Sequence, residues 1–371
     1  MNVFPHGIII AAIMLMTCCN KKKSADNNSP DIWPSGDTRT VKQNLEHIWE
    51  IIWGPDNHIW FTERDGKISK MDPKNGNIIF STSINEVVAT GEGGLLGMAL
   101  HPDFLINGFI YIVYNYSSSS GYREKVVRYT FTNNTLNNPF IILENIAAAN
   151  IHNGSRIRLA DDGTGLKLYL TTGDAANPSS SQDINSKNGK ILRLNPDGTI
   201  PTDNPFTGNP VWSYGHRNPQ GLIFVNNKCY ASEHGPNIED EVNIILKSKN
   251  YGWPNVNGPC DGSEVTFCSA NNVKEPVWSS GNGTIAVCGI DYYNNDRISS
   301  WKNSILMTTL KDASLRQLKL STDGNSVVST SVFFKNDFGR IRDICISPEG
   351  RVYLCTSNGS NNDKIIEISK L

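Results

Sequence analysis

The sequence predicts an all-β fold, a six-bladed β-propeller, on three observations. Turn residues followed by a short run of β-branched and aromatic residues recur six times along the chain. The recurrences lie 47 to 76 residues apart, a period expected for blades built of several short strands. No long segment holds the 3.6-residue period of an amphipathic helix.

The six turn-and-strand units align on one residue in each strand. The units are GPDNHIWFTE from Gly54, HPDFLINGFIYIVY from His101, ADDGTGLKLYLTT from Ala160, FVNNKCYASE from Phe224, WKNSILMTT from Trp301 and SPEGRVYLCT from Ser347. The aligned residues are Trp60, Tyr111, Tyr169, Tyr230, Leu306 and Tyr353. Their spacings are 51, 58, 61, 76 and 47 residues, so the 76-residue gap must hold an insertion. The last strand, KIIEISKL, has no partner downstream, so we expect an N-terminal strand such as HIWEIIW to pair with it and close the ring.

The first 40 residues are predicted to lie outside the propeller, which we assign to residues 41–371. Residues 1–18 carry an apolar stretch too short to anchor the protein across a bilayer. That stretch ends in LMTCC, which resembles a bacterial lipoprotein signal with Cys18 or Cys19 as the lipidated residue, although MNVFPHG lacks Lys and Arg. Residues 19–40 are polar and predicted to be a disordered tether. We therefore expect export to the periplasm or outer surface of a bacterium, with membrane attachment only through a lipid; a plain cleaved signal peptide is the alternative.

Composition and cysteine usage exclude several classes of partner and site. The formal net charge of -2, with 19% charged residues, gives no electrostatic reason to expect nucleic acid. No CxxC pair occurs among the eight cysteines, which argues against a thiolate zinc site. Export permits disulfides, and Cys260 with Cys268 is the best candidate pair. Cys345 and Cys355 flank a turn, and either a disulfide or two buried thiols fits them.

Three adjacent carboxylates follow a Gly-Pro turn in YASEHGPNIEDEVNII, at Glu239, Asp240 and Glu241. Like charges this close repel each other unless a cation lies among them or water solvates them. The Gly235-Pro236 turn can present consecutive carbonyls, because proline fixes its own φ and donates no N–H. Calcium prefers such hard oxygen ligands. From these residues alone, a metal site and a solvated acidic turn both remain open.

The cationic and basic candidates are equally open from the residues alone. Arg340 and Arg342 lie two residues apart, which puts both guanidiniums on one face of a strand. They either bind an anionic ligand together or are a pair of solvated side chains. His152 precedes a strand-like run and has a side chain suited to proton transfer near neutral pH. A lone histidine is more often structural, and His101, His216 and His234 compete for the same role.

Six motifs occur in the order seen in the pyrroloquinoline-quinone-dependent sugar dehydrogenases, the soluble glucose and aldose dehydrogenases. They are GEGGLLGMALHPDF, IHNGSRI, GKILRLNPDGTIPTDNPF, YGHRNPQGL, SEHGPNIEDEVN and NYGWPNV. The chain resembles this family from about Trp53 to its C-terminus, and the family fold is a six-bladed propeller.

The resemblance implies a set of site residues. His152 is implied as the catalytic base, with Arg217 supporting the charge that develops on the cofactor. The residues implied to contact pyrroloquinoline quinone are Glu92 (where the family often has Gln), Arg217, Asn218, Lys311, Arg340 and Arg342. A catalytic calcium is implied at the carbonyls of Gly235 and Pro236, and a structural calcium at Glu241 and a carbonyl near Tyr251. Glu239 and Asp240 are then expected to have solvent or arginine partners.

The implied activity is oxidation of the C1 hydroxyl of an aldose to a lactone, with hydride transfer to the quinone assisted by calcium. The electron acceptor that restores the quinone is unidentified. Two alternatives are a non-catalytic carbohydrate- or protein-binding propeller, suggested by Glu92, and a calcium-dependent lactonase that needs no quinone. The cations Arg217, Lys311, Arg340 and Arg342 favour the dehydrogenase, because neither alternative needs so many in one place.

Overall fold

Six four-stranded antiparallel sheets make up the fold and confirm the predicted six-bladed β-propeller. The computed structural model describes Met1, Trp33 and residues 36–371, so the predicted signal peptide with Cys18 and Cys19 lies outside the described residues. The first strand in the chain is β1 (Thr38–Leu45), which belongs to blade six.

Blade one consists of β2 (Ile48–Trp53), β3 (Ile59–Glu63), β4 (Lys67–Met71) and β5 (Ile78–Ser83). Blade two consists of β6 (Leu95–Leu100), β7 (Phe109–Ser118), β8 (Gly121–Thr132) and β9 (Thr135–Ala147). Blade three consists of β10 (Gly154–Asp161), β11 (Leu166–Thr172), β12 (Lys190–Leu194) and β13 (Val211–Tyr214).

Blade four consists of β14 (Pro219–Val225), β15 (Lys228–Glu233), β16 (Glu241–Ile245) and β17 (Trp278–Ser279). Blade five consists of β18 (Val287–Tyr293), β19 (Ser304–Thr309), β20 (Leu315–Leu320) and β21 (Val327–Phe333). Blade six consists of β22 (Ile341–Ile346), β23 (Val352–Thr356), β24 (Asp363–Ile368) and β1.

The second strand of every blade carries the residue that aligned the six sequence units. These residues are all buried, and they are Trp60, Tyr111, Tyr169, Tyr230, Leu306 and Tyr353. Second strands lie between the faces of neighbouring blades, so both of their faces are covered. This explains why the strands read as continuous runs of β-branched and aromatic residues.

The ring closes through β1, and the prediction that HIWEIIW pairs with the last strand is wrong. β1 pairs antiparallel with β24, with Thr38 opposite Ile368 and Leu45 opposite Asp363. The segment HIWEIIW instead forms β2, the innermost strand of blade one. The physical reason is burial: the first four residues of β2 are buried, whereas β1 has the mostly exposed pattern of an outer strand. β1 also begins within the 19–40 range that was expected to be tether.

Helices are few in the part of the chain that the structure describes, and the long gap between β16 and β17 holds the predicted insertion. The α-helices are α1 (Phe104–Asn107) and α2 (Val265–Asn271), and 3-10 turns occur at Pro178–Ser181, Gly262–Glu264 and Ser299–Trp301. Neither α-helix of the described residues has the length that crossing a bilayer requires. The Cys260–Cys268 disulfide is confirmed, with an S–S distance of 2.04 Å. Cys345 and Cys355 are buried free thiols, as are Cys229 and Cys288.

A buried ion network fills the middle of the ring. The Arg156 guanidinium Nη1 lies 2.7 Å from Glu50 Oε2 and 2.8 Å from Asp343 Oδ2, and all three side chains are inaccessible to solvent. Arg158 donates to the other oxygen of Glu50 at 2.9 Å. The Arg156 guanidinium also lies 4.4 Å from the ring of Trp49. Burial raises the pKa of Asp343 to about 7, although Arg156 acts in the opposite direction.

The acidic turn between β15 and β16 is not solvated at Asp240, and the expected solvent or arginine partner for this residue is wrong. Asp240 is fully buried, and it accepts hydrogen bonds from the backbone N–H groups of Gly235, Ile285 and Ala286 at 2.9, 2.6 and 2.8 Å. The Thr284 hydroxyl donates to the same carboxylate at 2.8 Å. Because residues 284–286 precede β18, Asp240 ties the turn of blade four to blade five.

We predict that Asp240→Ala lowers the free energy of unfolding by at least about 3 kcal/mol, because three backbone donors lose their acceptor and each costs roughly 1–3 kcal/mol. Urea unfolding followed by tryptophan fluorescence measures the loss. Asp261→Ala, at an exposed acidic residue of the insertion, is the matched control and should change stability by less than about 0.5 kcal/mol. Equal losses in the two variants would show that Asp240 does not hold the turn.

Candidate functional site

The site candidates gather at one face of the ring, where the innermost strands begin and the second strands end. Residues just before an innermost strand include His152 (β10), Arg217 and Asn218 (β14) and Arg340 (β22). Residues just after a second strand include Arg64 (β3), Asp174 (β11), His234 and Gly235 (β15) and Lys311 (β19). The antiparallel hairpin of each blade brings these two kinds of chain segment together.

A cavity of about 350 Å³ at this face contains three arginines, and we call it the arginine cavity. Its lining residues are His47, Arg64, Glu92, Gln220, His234, Ala286, Leu310, Arg340, Arg342, Ser357 and Asn358. Glu92 supplies the one carboxylate among these lining residues, and its side chain is exposed at the rim. The cavity therefore carries an excess of positive charge.

The arginines of this cavity are held under electrostatic strain. Burial lowers the pKa of Arg64 and of Arg340, and the neighbouring Arg342 lowers both further. Among the described residues, Nε of Arg64 and Nε of Arg342 are shielded from solvent and have no hydrogen-bond partner. Arg64 is anchored by donating from Nη2 to the Gly91 carbonyl at 2.5 Å. Unsatisfied guanidinium donors beside like charges suit an anionic ligand with several acceptor groups.

His152 lies beside this cavity with a carboxylate partner. Its Nδ1 is 2.8 Å from Asp174 Oδ1, and its backbone N–H donates to Glu92 Oε2 at 3.3 Å. Since an ionised carboxylate only accepts, Nδ1 carries the proton and Nε2 is left to accept one. The side chain is 15% exposed, whereas Asp174 is almost fully buried. The pair is thus an oriented base at a partly open surface.

Asp174 also connects His152 to the opposite wall of the site. Its Oδ2 accepts a hydrogen bond from Trp253 Nε1 at 2.9 Å. The Arg217 guanidinium lies 5.3 Å from the ring of Trp253, within range of a cation–π interaction. Arg217 donates to the His234 carbonyl at 3.3 Å, while its Nε is another shielded donor without a partner in the described residues.

The other histidines are placed differently from His152. His101 follows β6 and so lies at the opposite end of the innermost strands. His216 is fully buried between Glu233 and the Ser213 hydroxyl, at 2.8 and 2.9 Å. Burial, with the nearby Arg342, lowers the pKa of His234 to about 3, which makes it a weak base. His152 is the histidine of these four whose geometry suits general base catalysis.

A second and much smaller cavity, of about 10 Å³, adjoins the first, and His234 lines both. We call it the carboxylate cavity. Its lining residues are Arg217, Glu233, His234, Gly235, Pro236, Glu239, Glu241, Tyr251, Trp253, Val256 and Asn257. No Cβ fits at Gly235, because it would lie 1.9 Å from the carbonyl oxygen of Ile238. The Gly-Pro turn is therefore tightly folded against the residues that follow it.

The carboxylates of this cavity repel one another. Burial, together with the nearby Glu233 and Glu239, raises the pKa of Glu241 to about 8. Glu241 accepts hydrogen bonds from the Asn243 amide at 2.7 Å and the Gly258 N–H at 2.8 Å. The Tyr251 hydroxyl is used elsewhere, donating to the Ile244 carbonyl at 2.6 Å.

In the described residues, no group of three or more His, Cys, Asp or Glu side chains is arranged to hold a metal. A cation in the carboxylate cavity would therefore depend on carbonyl oxygens as well as carboxylates. The donor set of the cavity is rich in oxygen, which is the chemistry that calcium takes.

The structure brings most of the sequence candidates to these two cavities. Glu92, Arg340 and Arg342 line the arginine cavity, while Arg217, Gly235, Pro236, Glu241 and Tyr251 line the carboxylate cavity. Three candidates line neither, and His152, which lies beside the arginine cavity, is the first of them. Asn218 is buried behind the site, where its side-chain oxygen accepts the Gly154 N–H at 3.1 Å. The exposed Lys311 follows Leu310, which lines the arginine cavity.

Sequence reasoning missed Arg64, Asp174, Gln220 and Trp253. Arg64 and Asp174 each come within two residues of the end of a second strand, the position that Gly235 and Lys311 share. Both residues lie just after an aligned unit, so the alignment of the units could have pointed to them. Trp253 lies in the insertion, where no repeat marks its partner, and Gln220 is the second residue of an innermost strand.

Comparisons with known proteins identify the family of this chain. The family model described as Glucose / Sorbosone dehydrogenase matches residues 45–367. Quinoprotein glucose dehydrogenase B of Acinetobacter calcoaceticus is 31% identical, with 88% of this chain and 87% of that protein covered. An aldose sugar dehydrogenase of Escherichia coli is 30% identical, with 90% and 94% covered. The PQQ-bound form of an aldose sugar dehydrogenase from Streptomyces coelicolor superposes with a TM-score of 0.77 at 31% identity, covering 90% of this chain and 98% of that one. The chain therefore belongs to the glucose/sorbosone dehydrogenase family.

Proposed function

We propose that this protein oxidises the C1 hydroxyl of an aldose to a lactone, using pyrroloquinoline quinone and calcium. The observation that carries the proposal is the arginine cavity beside the His152–Asp174 pair. A lactonase or a binding module has no use for three arginines facing one cavity with a single exposed carboxylate. When bound, the quinone supplies a hydride acceptor, and calcium supplies a Lewis acid that polarises its carbonyl.

The residues present fit a polycarboxylate cofactor. Arg64 and Arg342 each have a shielded Nε without a partner among the described residues, and Arg340 lines the same cavity. Guanidinium groups bind planar carboxylates through paired hydrogen bonds. We propose that Arg340 and Arg342 hold carboxylates of the quinone, with Arg217, Asn218 and Lys311 contributing from the neighbouring loops. Glu92, which contacts the His152 backbone at the rim, is proposed to accept hydrogen bonds from a sugar.

The carboxylate cavity fits calcium by its donor chemistry. Glu233, Glu239 and Glu241 face one space, and the other two add to the cost of ionising the buried Glu241, which a bound cation would offset. We propose that the carbonyls of Gly235 and Pro236 bind the catalytic ion. Glu241, with a carbonyl near Tyr251, is proposed to bind a structural ion.

The protein's own residues then perform three tasks. His152 Nε2 removes the proton of the C1 hydroxyl as hydride leaves the same carbon, and Asp174 stabilises the resulting imidazolium. Arg217 places positive charge where negative charge develops during the reaction. Trp253 fixes both Asp174 and Arg217, so that base and cation keep their separation.

We also propose export with a lipid on Cys18 or Cys19, on the sequence LMTCC alone. Mass spectrometry of the protein from the membrane fraction is the test. A mature N-terminus downstream of Cys19 without lipid would contradict the anchor.

We predict that His152→Asn lowers turnover by about 10²–10⁴-fold, the range that general base catalysis supplies. Apoprotein is reconstituted with calcium and pyrroloquinoline quinone, and dye reduction is measured with a panel of aldoses. Cofactor absorbance should be unchanged in the variant, because His152 holds a proton rather than the cofactor.

His101→Asn is the matched control, since His101 lies at the opposite end of the innermost strands. Wild-type turnover in the His152 variant would eliminate the proposed base. Failure of the wild type to bind the quinone would eliminate the dehydrogenase. Lactone hydrolysis with calcium alone would then favour the lactonase, and sugar binding without either reaction would favour the binding module.

We predict that calcium raises the thermal stability of chelator-treated protein and that Glu241→Gln removes most of this increase. A ligand at a hundred times its Kd stabilises the native state by about 2.7 kcal/mol, and Glu241 is the buried carboxylate that the ion would neutralise. Calorimetric scans with and without calcium measure the shift, and Asp261→Ala is a control that should keep it. Chelation should also abolish dye reduction, and full activity after exhaustive chelation would count against any calcium role.

A further inference from the structure

We propose that Gln220 and Cys288 are positioning residues that fix Arg342 in the arginine cavity and keep its charge available to an anionic ligand. The inference rests on the proposed function, because the anion in question is a carboxylate of the quinone cofactor. Gln220 lies in the motif YGHRNPQGL and Cys288 lies outside the six motifs, and neither residue was predicted to contact the cofactor.

The three side chains form a closed triangle of contacts. Arg342 Nη1 donates to Gln220 Oε1 at 2.7 Å and lies 3.2 Å from Cys288 Sγ. The Cys288 thiol donates to the same Gln220 oxygen at 3.1 Å. Cys288 is 0% exposed, and Gln220 and Arg342 are each 6% exposed. One edge of the guanidinium is therefore immobilised by buried partners.

The triangle follows from the register of the ring. Gln220, Cys288 and Arg342 are the second residues of β14, β18 and β22, the innermost strands of three consecutive blades. Equivalent positions on adjacent innermost strands lie at the same height along the channel, so their side chains meet. The contact requires the three blades to be docked, and it cannot be formed within one blade.

The partners of Arg342 are neutral, which separates it from the other deeply buried arginines. Arg156 pairs with Glu50 and Asp343, and Arg193 pairs with Asp162 and Asp203. Among the described residues, Arg342 has no carboxylate within ion-pair distance, and its Nε is shielded and without a partner. An amide oxygen and a thiol orient the guanidinium without neutralising it. Its full charge thus remains for a ligand that enters the cavity.

The test is the equilibrium Kd of calcium-loaded apoprotein for pyrroloquinoline quinone, measured by quenching of tryptophan fluorescence and without substrate. Gln220→Leu removes the acceptor and should weaken binding by about tenfold, the lower end of what a hydrogen bond to a charged group contributes. Gln220→Glu should weaken it by about 100-fold, because a carboxylate would pair with Arg342 and repel the ligand. Cys288→Ala should weaken binding by a few-fold, and Cys288→Ser, which keeps an acceptor, should restore it. Cys229 is also a buried free thiol, but it lies in blade four and outside this triangle. Cys229→Ala is therefore the matched control and should bind the quinone as the wild type does.

A double-mutant cycle decides whether these residues act through Arg342. In an Arg342→Ala background, Gln220→Leu should cause no further loss of affinity. An equal loss with and without Arg342 would overturn the positioning role, as would unchanged affinity in Gln220→Leu and Gln220→Glu while the wild type binds. Wild-type protein that does not bind the quinone would instead refute the proposed function. Thermal unfolding of each apoprotein monitors folding, and Gln220→Met, which keeps the shape without the acceptor, replaces the leucine variant if that one does not fold.

Discussion

The third residue of each innermost strand is the constraint on which the rest of the ring depends. These six residues are Glu50, Gly97, Arg156, Gly221, Gly289 and Asp343. Three are glycines that leave no room for a side chain: a Cβ on Gly97 would lie 2.0 Å from the Ser155 carbonyl oxygen, and one on Gly289 would lie 1.8 Å from Asp343 Oδ1. The other three form the buried ion network. At this position of the innermost strands, the glycines let the blades approach closely, and the three charged residues form one ion network.

The ion network gives the ring specificity more than stability. Burying one arginine with two carboxylates has a desolvation cost that their attraction offsets only when hydrogen bonds complete the set. Arg156 meets this condition only in part: its Nε donates to the Gln220 carbonyl at 2.7 Å, but its Nη2 and the Oδ1 of Asp343 are shielded and have no partner among the described residues. Arg156 therefore joins blades one, three, four and six at one point. A ring with a different number of blades would leave at least one of these charges unpaired.

The sequence predicts those features of the fold and the site that depend on residues close together along the chain. The blades were predictable because second strands are buried on both faces, so each one carries its own run of aromatic and β-branched residues. The closing strand was misassigned because β1 and β2 both precede the first unit, and only packing separates an outer strand from an inner one. Arg340 and Arg342 were found because they are two residues apart. The His152–Asp174 pair and the Gln220–Cys288–Arg342 triangle join different strands, and no local pattern connects their members. The partner of Asp240 was predicted wrongly, because three adjacent acidic residues are typical of a solvated turn. The backbone N–H groups of the next blade, which bind Asp240, are distant in the sequence.

The two cavities have opposite charge and share a wall, and this arrangement explains why a protein would keep both. The arginine cavity holds Arg64 and Arg340, whose pKa values are lowered by burial and by the neighbouring Arg342, and the carboxylate cavity holds Glu241 with a raised pKa. The like charges of each cavity, taken alone, lower the stability of the folded state, as is common at functional sites. His234, which lines both, has a pKa far below neutrality and adds no charge between them. An anion in one cavity and a cation in the other therefore attract each other across a thin neutral wall, where screening by water is weak. By linkage, each ligand then raises the affinity for the other by the same factor.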